Sequence, residues 1–306
     1  MRYSAPCFLA GTLLSIAPFV AHAQQAPSPY RTPLAVDAPI TGTLLLAAGT
    51  GYYLMQQKHG PSLQEQARLN PKRIPVFDRS AAGNYSAQAQ QTGNVLCFGS
   101  LLAAPGLLAL DNGVRGRYGQ VLGLYLQAEA LTDALFTMSA GTIERYRPLV
   151  YSADTPDQVR SGDNTSESFF AGHTAHTATA TFFAAKVYHD FHPGSAAGPW
   201  VWGAAAAIPA LVACTRTEAG KHFLSDNLVG YAVGAASGIL VPQLHKVQRS
   251  RAAAAPAVLG ATAGAATGIL LPQLGKLRRN GLSIMLLQGT NANGYAYGGL
   301  RITQRL

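Results

Sequence analysis

The segment TRTEAGKHFLSD at residues 215–226 joins two apolar stretches and combines a cation, a histidine and a carboxylate. Arg216 is a fixed cation whose forked donors match phosphate oxygens two at a time. His222 and Asp226 are four residues apart, so a helix here would place both on one face. The carboxylate would then accept the Nδ1–H of the imidazole and leave Nε2 as an oriented nucleophile or base. The segment therefore predicts anion chemistry at a helix end.

Two more blocks, ERYRP at 144–148 and SFFAGH at 168–173, hold complementary groups. Arg145 and Arg147 are further fixed cations. His173 comes at a predicted helix start, where backbone N–H groups favour an anion, and its imidazole can protonate a leaving group. Together the three blocks predict phosphoryl transfer through a phosphohistidine.

The three blocks, taken in order, resemble the type 2 phosphatidic acid phosphatase superfamily, which includes bacterial acid phosphatases and vanadium haloperoxidases. The family pattern reads K-x6-R-P, then P-S-G-H, then S-R-x5-H-x3-D. The matching residues are Arg147-Pro148, Gly172-His173, Arg216, His222 and Asp226. The resemblance spans about residues 118–245, and three ordered blocks are more specific than any single motif. It implies an all-α fold, a helical bundle of this family's kind, that works without a metal or another cofactor.

The resemblance also implies a role for each matching residue. His222 attacks phosphorus, Asp226 orients it, and His173 protonates the leaving oxygen and then activates water. Cationic groups and backbone N–H donors hold the phosphoryl oxygens through positioning and electrostatics. The residues expected to bind phosphate are Arg147, Arg216, Gly172 and, as a further candidate, Arg145.

The chain departs from the family pattern at two positions that bind phosphate. Ala140 stands where the family has its lysine, and Ala171 stands where it has its serine. A charge-assisted hydrogen bond contributes roughly 1.5–3 kcal/mol, so losing the lysine alone slows the reaction about tenfold to a hundredfold. Arg145 is the first candidate to supply the missing charge. The sequence leaves open whether the activity is weakened.

The expected function is hydrolysis of phosphomonoesters or pyrophosphates, with phosphorylated lipids as the main substrate class and small phosphoesters as the other. Two alternatives stay open at this stage. One is a vanadate-dependent haloperoxidase, which the missing lysine disfavours because that chemistry needs tightly held vanadate. The other is a catalytically impaired envelope protein that binds phosphorylated lipid. A Ser/His/Asp hydrolase is disfavoured because the sequence has no G-x-S-x-G elbow.

The pair His173 and His176 does not predict a metal site. Metal-binding histidine pairs on helices are usually four residues apart with a carboxylate nearby, and these two are three apart. We therefore expect no metal, and we interpret His176 as a packing or supporting residue.

The N-terminus has the features of an export signal. Arg2 precedes an apolar run, and Ala21-His22-Ala23 provides an A-x-A cleavage site. The run is too short for a comfortable membrane span, and a retained anchor helix is the alternative. We expect an exported protein, periplasmic or associated with the envelope membrane of a Gram-negative-type cell. Cys97 and Cys214 are expected to be buried thiols, with a disulfide as the alternative.

The net charge of +9 favours anionic lipid surfaces and phosphorylated substrates, and it equally fits a solvated face that keeps the protein soluble. Nucleic acid is not an expected partner, because no binding motif is present. The apolar runs are about 14 to 18 residues long, and a spanning helix needs about 20. They therefore favour buried bundle helices with contact at a membrane surface. The sequence does not predict the oligomeric state.

Four parts are predicted along the chain. They are a signal peptide at 1–23, a leader with a helix and an irregular segment at 24–93, the phosphatase-like core at 94–250, and an extra helix with a β-hairpin at 251–306. Helices are expected at 40–55, 94–110, 118–140, 172–188, 199–213, 224–241 and 258–273. Residues 234–246 recur as 264–276, which we interpret as a local duplication. A Gly/Asn-rich turn at 289–294 between two strand patterns predicts the hairpin.

Overall fold

The structure, a computed structural model, describes residues 28–247, 282–290 and 296–304. The chain divides into two compact units, Met1–Val247 and Gln248–Leu306. The described α-helices are α1 Leu34–Gln56, α2 Leu63–Arg68, α3 Ala87–Leu110, α4 Asn112–Arg115, α5 Tyr118–Thr142, α6 Asp157–Arg160, α7 Gly172–Phe191, α8 Gly198–Glu218 and α9 Leu224–Leu244. The described strands are β1 Leu282–Thr290 and β2 Ala296–Gln304. The predicted signal peptide at 1–23 and helix at 258–273 lie outside the described residues.

The long helices of the first unit form an all-α bundle, which confirms the predicted fold class. Helix α7 lies at its centre and contacts α3, α5, α8 and α9. The C-terminal ends of α1 and α5 meet where the Nζ of Lys58 donates to the carbonyl oxygen of Ala140 at 2.7 Å. The C-terminal ends of α3 and α7 meet at the other end, where the imidazole of His192 lies 2.9 Å from Asp111. The bundle therefore has two distinct ends.

Close packing of α7 against α9 depends on three glycines spaced one turn apart. A Cβ at Gly230 would lie 2.5 Å from the carbonyl oxygen of Ala171, and one at Gly234 would lie 2.0 Å from that of Ala175. A Cβ at Gly238 would lie 2.5 Å from a third carbonyl oxygen of α7. Small residues at helix contacts let the two backbones approach closely. This approach brings the start of α7, which carries the second block, beside the start of α9, which follows the third.

Four helices, α1, α3, α8 and α9, are long and apolar enough to cross a membrane by length and composition. Each has 21 to 24 residues, and at 1.5 Å per residue such helices match a hydrocarbon core of about 30 Å. Large apolar side chains on them face outward, including Leu46, Leu102, Trp200 and Leu244. The prediction of buried bundle helices was therefore wrong for these four, because most of their apolar surface is exposed.

The structure also differs from the sequence predictions at the start of one helix and in the segment before it. Helix α3 begins at Ala87 instead of 94, because the Oγ of Ser86 accepts the N–H of Ala89 at 3.1 Å and caps the helix start. The segment 58–93, expected to be irregular, includes α2, whose capping box pairs Ser62 with Glu65.

The cysteines and the hairpin can be compared with their predictions directly. Cys97 is buried and Cys214 is exposed on α8, and both are free thiols, so the expectation of two buried thiols was wrong for Cys214. In the second unit β1 pairs with β2 in antiparallel register, from Leu282 opposite Gln304 to Thr290 opposite Ala296. This pairing confirms the predicted β-hairpin.

Candidate active site

The three sequence blocks meet at one end of the bundle, where backbone hydrogen bonds tie them together in pairs. The N–H of Leu149, just after the first block, donates to the carbonyl oxygen of Gly220 in the third block at 3.0 Å. The N–H of Ala171 in the second block donates to the carbonyl oxygen of Asp226 at 3.1 Å. The blocks are far apart in sequence and form one site only through these contacts.

A tight turn between α8 and α9 carries the reactive part of the third block. Gly220 has φ +67°, and a Cβ at this position would lie 1.8 Å from the carbonyl oxygen of Asn84, so only glycine fits. The N–H groups of Lys221 and His222 both donate to the carbonyl oxygen of Arg216, at 3.0 and 3.3 Å. The turn therefore returns His222 to the end of the helix that carries Arg216.

His222 is only 3 % exposed and is held in one tautomer. Its Nδ1 lies 2.7 Å from the carbonyl oxygen of Ser168, and because a carbonyl only accepts, Nδ1 must be the donor. Burial first, then the charges of Arg147 and Arg216, lower the pKa of His222 well below its ordinary value. The ring is therefore neutral, with the lone pair on Nε2, which is the state that a nucleophilic histidine needs.

The expected hydrogen bond from His222 to Asp226 is not formed, and this expectation was wrong. His222 lies in the turn before α9, so the spacing of four residues does not place the two side chains on one helical face. Asp226 instead accepts the N–H of Phe223 at 2.9 Å, which caps α9, and the Oγ–H of Ser168 at 2.7 Å. Asp226 acts on His222 only indirectly, by holding the residue whose carbonyl oxygen orients the imidazole.

Arg145, a phosphate-binding candidate in the sequence, is engaged elsewhere. Its Nη2 donates to Asp78 at 2.7 Å, and its Nη1 donates to Asp226 and to the Oγ of Ser225. The guanidinium also lies 4.7 Å from the ring centroid of Phe223. Two buried carboxylates, which the sequence does not reveal as its partners, accept these hydrogen bonds, and phosphate binding by Arg145 stays a prediction. Arg145 joins the first block to the start of α9.

Arg147 and Arg216 differ from Arg145 in having no carboxylate partner. No ion pair connects either guanidinium to any carboxylate of the described residues. The Nε of each is buried without a hydrogen-bond partner, and the described contact of Arg216 is a 3.1 Å donation from Nη1 to Asn94. Cations removed from water without a direct ion-pair partner are costly, and here they lie around the neutral His222. The arrangement favours binding of an anion.

His173 is the second residue of α7, and the helix can begin there because residue 172 is glycine. A Cβ at Gly172 would lie 2.8 Å from the ring of Phe136. Burial first, then the charges of neighbours that include Arg216 and Arg147, lower the pKa of His173 to about 3. A bound phosphate cancels part of that positive field, so His173 holds a proton more readily when the site is filled. His173 and Gly172 lie where the sequence predicts them, at a helix N-terminus.

His176 lies one turn further along α7, and its Nδ1 is 2.8 Å from the Oε2 of Glu129 on α5. It contributes to the packing of α5 against α7.

Several residues of the site carry no recognisable signal in the sequence. Asp78 is 1 % exposed, and its carboxylate accepts the N–H and Oγ–H of Ser225 at 2.9 and 2.6 Å. Lys58 holds the end of α5 through Ala140, and Ser168 orients His222. Lys221 stands beside His222 in the third block without an assigned role. A buried aspartate in a polar loop can be recognised only after its partners are known.

The three blocks lie within a region of the chain that matches a known family. Residues 121–250 match the model of the PAP2 superfamily. The crystal structure of a transmembrane PAP2-type phosphatidylglycerolphosphate phosphatase from Bacillus subtilis is similar, with 18% identity and a TM-score of 0.43, and covers 70% of this chain and 98% of that chain. No curated protein matches the sequence significantly.

Proposed function

Because residues 121–250 form a PAP2 superfamily domain, we propose that the chain is a phosphatase that hydrolyses phosphorylated lipids through a phosphohistidine on His222. One observation carries the proposal most strongly. Two guanidinium groups without a carboxylate ion-pair partner among the described residues, the partly buried Arg147 and the buried Arg216, lie around a neutral imidazole whose Nδ1 is anchored. Fixed cations beside a nucleophile are what phosphoryl transfer requires, since catalysis of that reaction is mostly positioning and electrostatics.

In the first step Nε2 of His222 attacks phosphorus and the bond from phosphorus to the leaving oxygen breaks. His173 gives its proton to that oxygen, and the product leaves as an alcohol, or as a phosphate when the substrate is a pyrophosphate. Arg147, Arg216 and the backbone N–H of Gly172 hold the three remaining phosphoryl oxygens. Gly172 is the first residue of α7, and the dipole at a helix N-terminus also favours negative charge.

In the second step a water molecule gives a proton to His173 and its oxygen attacks the phosphohistidine. The bond from phosphorus to nitrogen breaks, inorganic phosphate leaves, and His222 and His173 return to their starting states. Asp226 supports both steps indirectly, because it accepts the Oγ–H of Ser168, whose carbonyl oxygen keeps Nδ1 of His222 protonated.

A lipid substrate fits the four helices that can cross a membrane. The site lies at the end of the bundle, level with the ends of those helices, which is where a lipid phosphate meets water. The proposed location is therefore the bacterial envelope, as an integral membrane protein. An alkaline carbonate wash of isolated membranes checks this, and release of the protein into the wash would refute it.

The activity is tested with purified full-length protein in detergent. We expect release of inorganic phosphate from phosphatidic acid and from p-nitrophenyl phosphate, inhibition by orthovanadate, and no effect of EDTA, with the variant His222→Ala as the blank. Bromide oxidation by peroxide in the presence of vanadate, without phosphate release, would replace the phosphatase with a haloperoxidase. Phosphatidic acid binding without turnover would identify a lipid-binding protein.

A further inference from the structure

The proposed site lacks one cation, and the position that would supply it cannot do so. Ala140 is fully buried in α5 and has no charge to offer. Three other cations lie near this end of the bundle, namely Lys58, Arg145 and Lys221. Their hydrogen-bond partners decide which of them is available to a substrate.

Two of the three are already occupied. The Nζ of Lys58 donates to the carbonyl oxygens of Ala140 and Ile143 at 2.7 Å and to that of Ser166 at 3.3 Å. An ammonium has three donors, so these contacts use all of them. Arg145 is held between Asp78 and Asp226. Neither group can turn to a phosphate without leaving buried acceptors unpaired.

Lys221 is the third cation, and it is buried without a partner. It is 8 % exposed, and its side chain makes no hydrogen bond or ion pair with any of the described residues. Its backbone is fixed in the turn after Gly220, with its N–H 3.0 Å from the carbonyl oxygen of Arg216. An ammonium on a largely buried side chain, among like charges and without an acceptor, is unfavourable unless an anion joins it.

The charge of Lys221 acts on the groups assigned to the reaction. It is one of the charges that lower the pKa of His173, and Arg147 and Arg216 in turn act on Lys221. The adjacent residue is His222, whose backbone N–H shares the same acceptor as that of Lys221. Lys221 therefore belongs to the cationic group around the nucleophile.

We infer that Lys221 is a phosphate-binding residue of the site and supplies the cation that Ala140 cannot. The inference rests on the proposed function and deepens it, because three cations around one phosphoryl group favour doubly charged phosphomonoesters over singly charged diesters. Lys221 contacts the phosphate from the turn that also carries His222, whereas a lysine at position 140 would contact it from α5.

The pH dependence follows from the surroundings of Lys221. Burial first, then the charges of Arg147 and Arg216, lower its pKa to about 8. The charged and titratable groups that interact with it are those two arginines and His173, and His222 is the next residue in the chain. Below about pH 8 the ammonium is charged and binds phosphate, and above that pH the charge is lost. The value of kcat/KM should therefore fall on the basic side of about pH 8.

The experiment compares Lys221→Ala and Lys221→Arg with Lys72→Ala, a change at an exposed lysine outside the site. We expect Lys221→Ala to lower kcat/KM for a phosphomonoester about tenfold to a hundredfold and to weaken orthovanadate inhibition in parallel. Lys221→Arg should keep most of the activity and shift the basic limb of the pH profile upward, because arginine stays protonated. Lys72→Ala should match wild type.

Three outcomes would overturn the inference. One is unchanged kcat/KM and orthovanadate inhibition in Lys221→Ala. Another is an unchanged basic limb in Lys221→Arg, which keeps the test valid even where the alanine variant fails to fold. In both cases wild-type turnover leaves the proposed function standing. If wild type neither releases phosphate nor binds orthovanadate, the proposed function fails, and the role of Lys221 fails with it.

Discussion

Replacing Arg145 with alanine should damage stability more than phosphate binding. The change leaves Asp78 and Asp226, which are 1 % and 0 % exposed, without their shared cation. Breaking a buried pair costs about 3–5 kcal/mol. The lower end applies here, because Asp226 keeps its bonds from Ser168 and Phe223. About 3 kcal/mol corresponds to a Tm lower by about 6–12 °C in a domain of this size.

The matched variant is Arg147→Ala, which removes a cation that has no carboxylate partner. Thermal unfolding in detergent should show little loss of Tm for this variant, because an unfavourable buried charge disappears. Its inhibition constant for orthovanadate should rise at least tenfold, whereas that of Arg145→Ala should rise by less than about threefold. In a cycle with Asp78→Ala, the two losses of Tm should be less than additive, since both variants break the same contact.

The opposite pattern would refute this reasoning. If Arg145→Ala keeps its Tm and weakens orthovanadate inhibition as much as Arg147→Ala does, Arg145 binds phosphate and its contacts with the two aspartates are incidental.

Two further predictions concern the nucleophile and the helix packing. His222→Ala should abolish phosphate release with Tm nearly unchanged. His173→Ala should retain phosphohistidine formation with acidic leaving groups, which need little protonation. Radiolabelled protein quenched in an alkaline denaturant, in which phosphohistidine is stable, would report it, and label on His222→Ala would exclude His222 as nucleophile. Gly234→Ala should lower Tm and activity together, because its Cβ would lie 2.0 Å from the carbonyl oxygen of Ala175. Gly203→Ala is the control: it has open space around it and should not lower Tm or activity, because alanine favours a helix more than glycine does. Equal Tm values for the two glycine variants would contradict the close approach of α7 and α9.

Much of the site could be identified from the amino-acid sequence, because its chemistry depends on residue types in a fixed order. Arginine, histidine and glycine at the ends of the three blocks indicate phosphate chemistry, and the structure brings Arg147, His173, Arg216 and His222 to one end of the bundle. The resemblance of the three blocks to a known family, together with the predicted helices, was enough for the fold class. Helix length was underestimated, since a proline or a charge inside a run does not end a helix that packs or lies in lipid.

The hydrogen-bond and ion-pair partners that come from distant parts of the chain could not be predicted from the sequence in the same way. The spacing of His222 and Asp226 predicts a contact only if the segment is helical, and the turn at Gly220 removes that condition. Arg145 and Lys221 are both cations beside site residues, and nothing local distinguishes the one that is neutralised from the one that is free. Asp78 distinguishes them, because it pairs with Arg145, and it comes from a loop far from the three blocks in the sequence.

The sequence by itself determined the helical class, the resemblance of the core to a known family and the kinds of groups that meet a phosphate, because these depend on the order of the motifs and on the intrinsic chemistry of side chains. Only the tertiary structure decided which cation is paired, which acceptor orients His222 and which helices face outward. Those are properties of distance and burial. The free energy of a charge or a hydrogen bond depends on whether folding removes water from it and on whether a partner lies within reach.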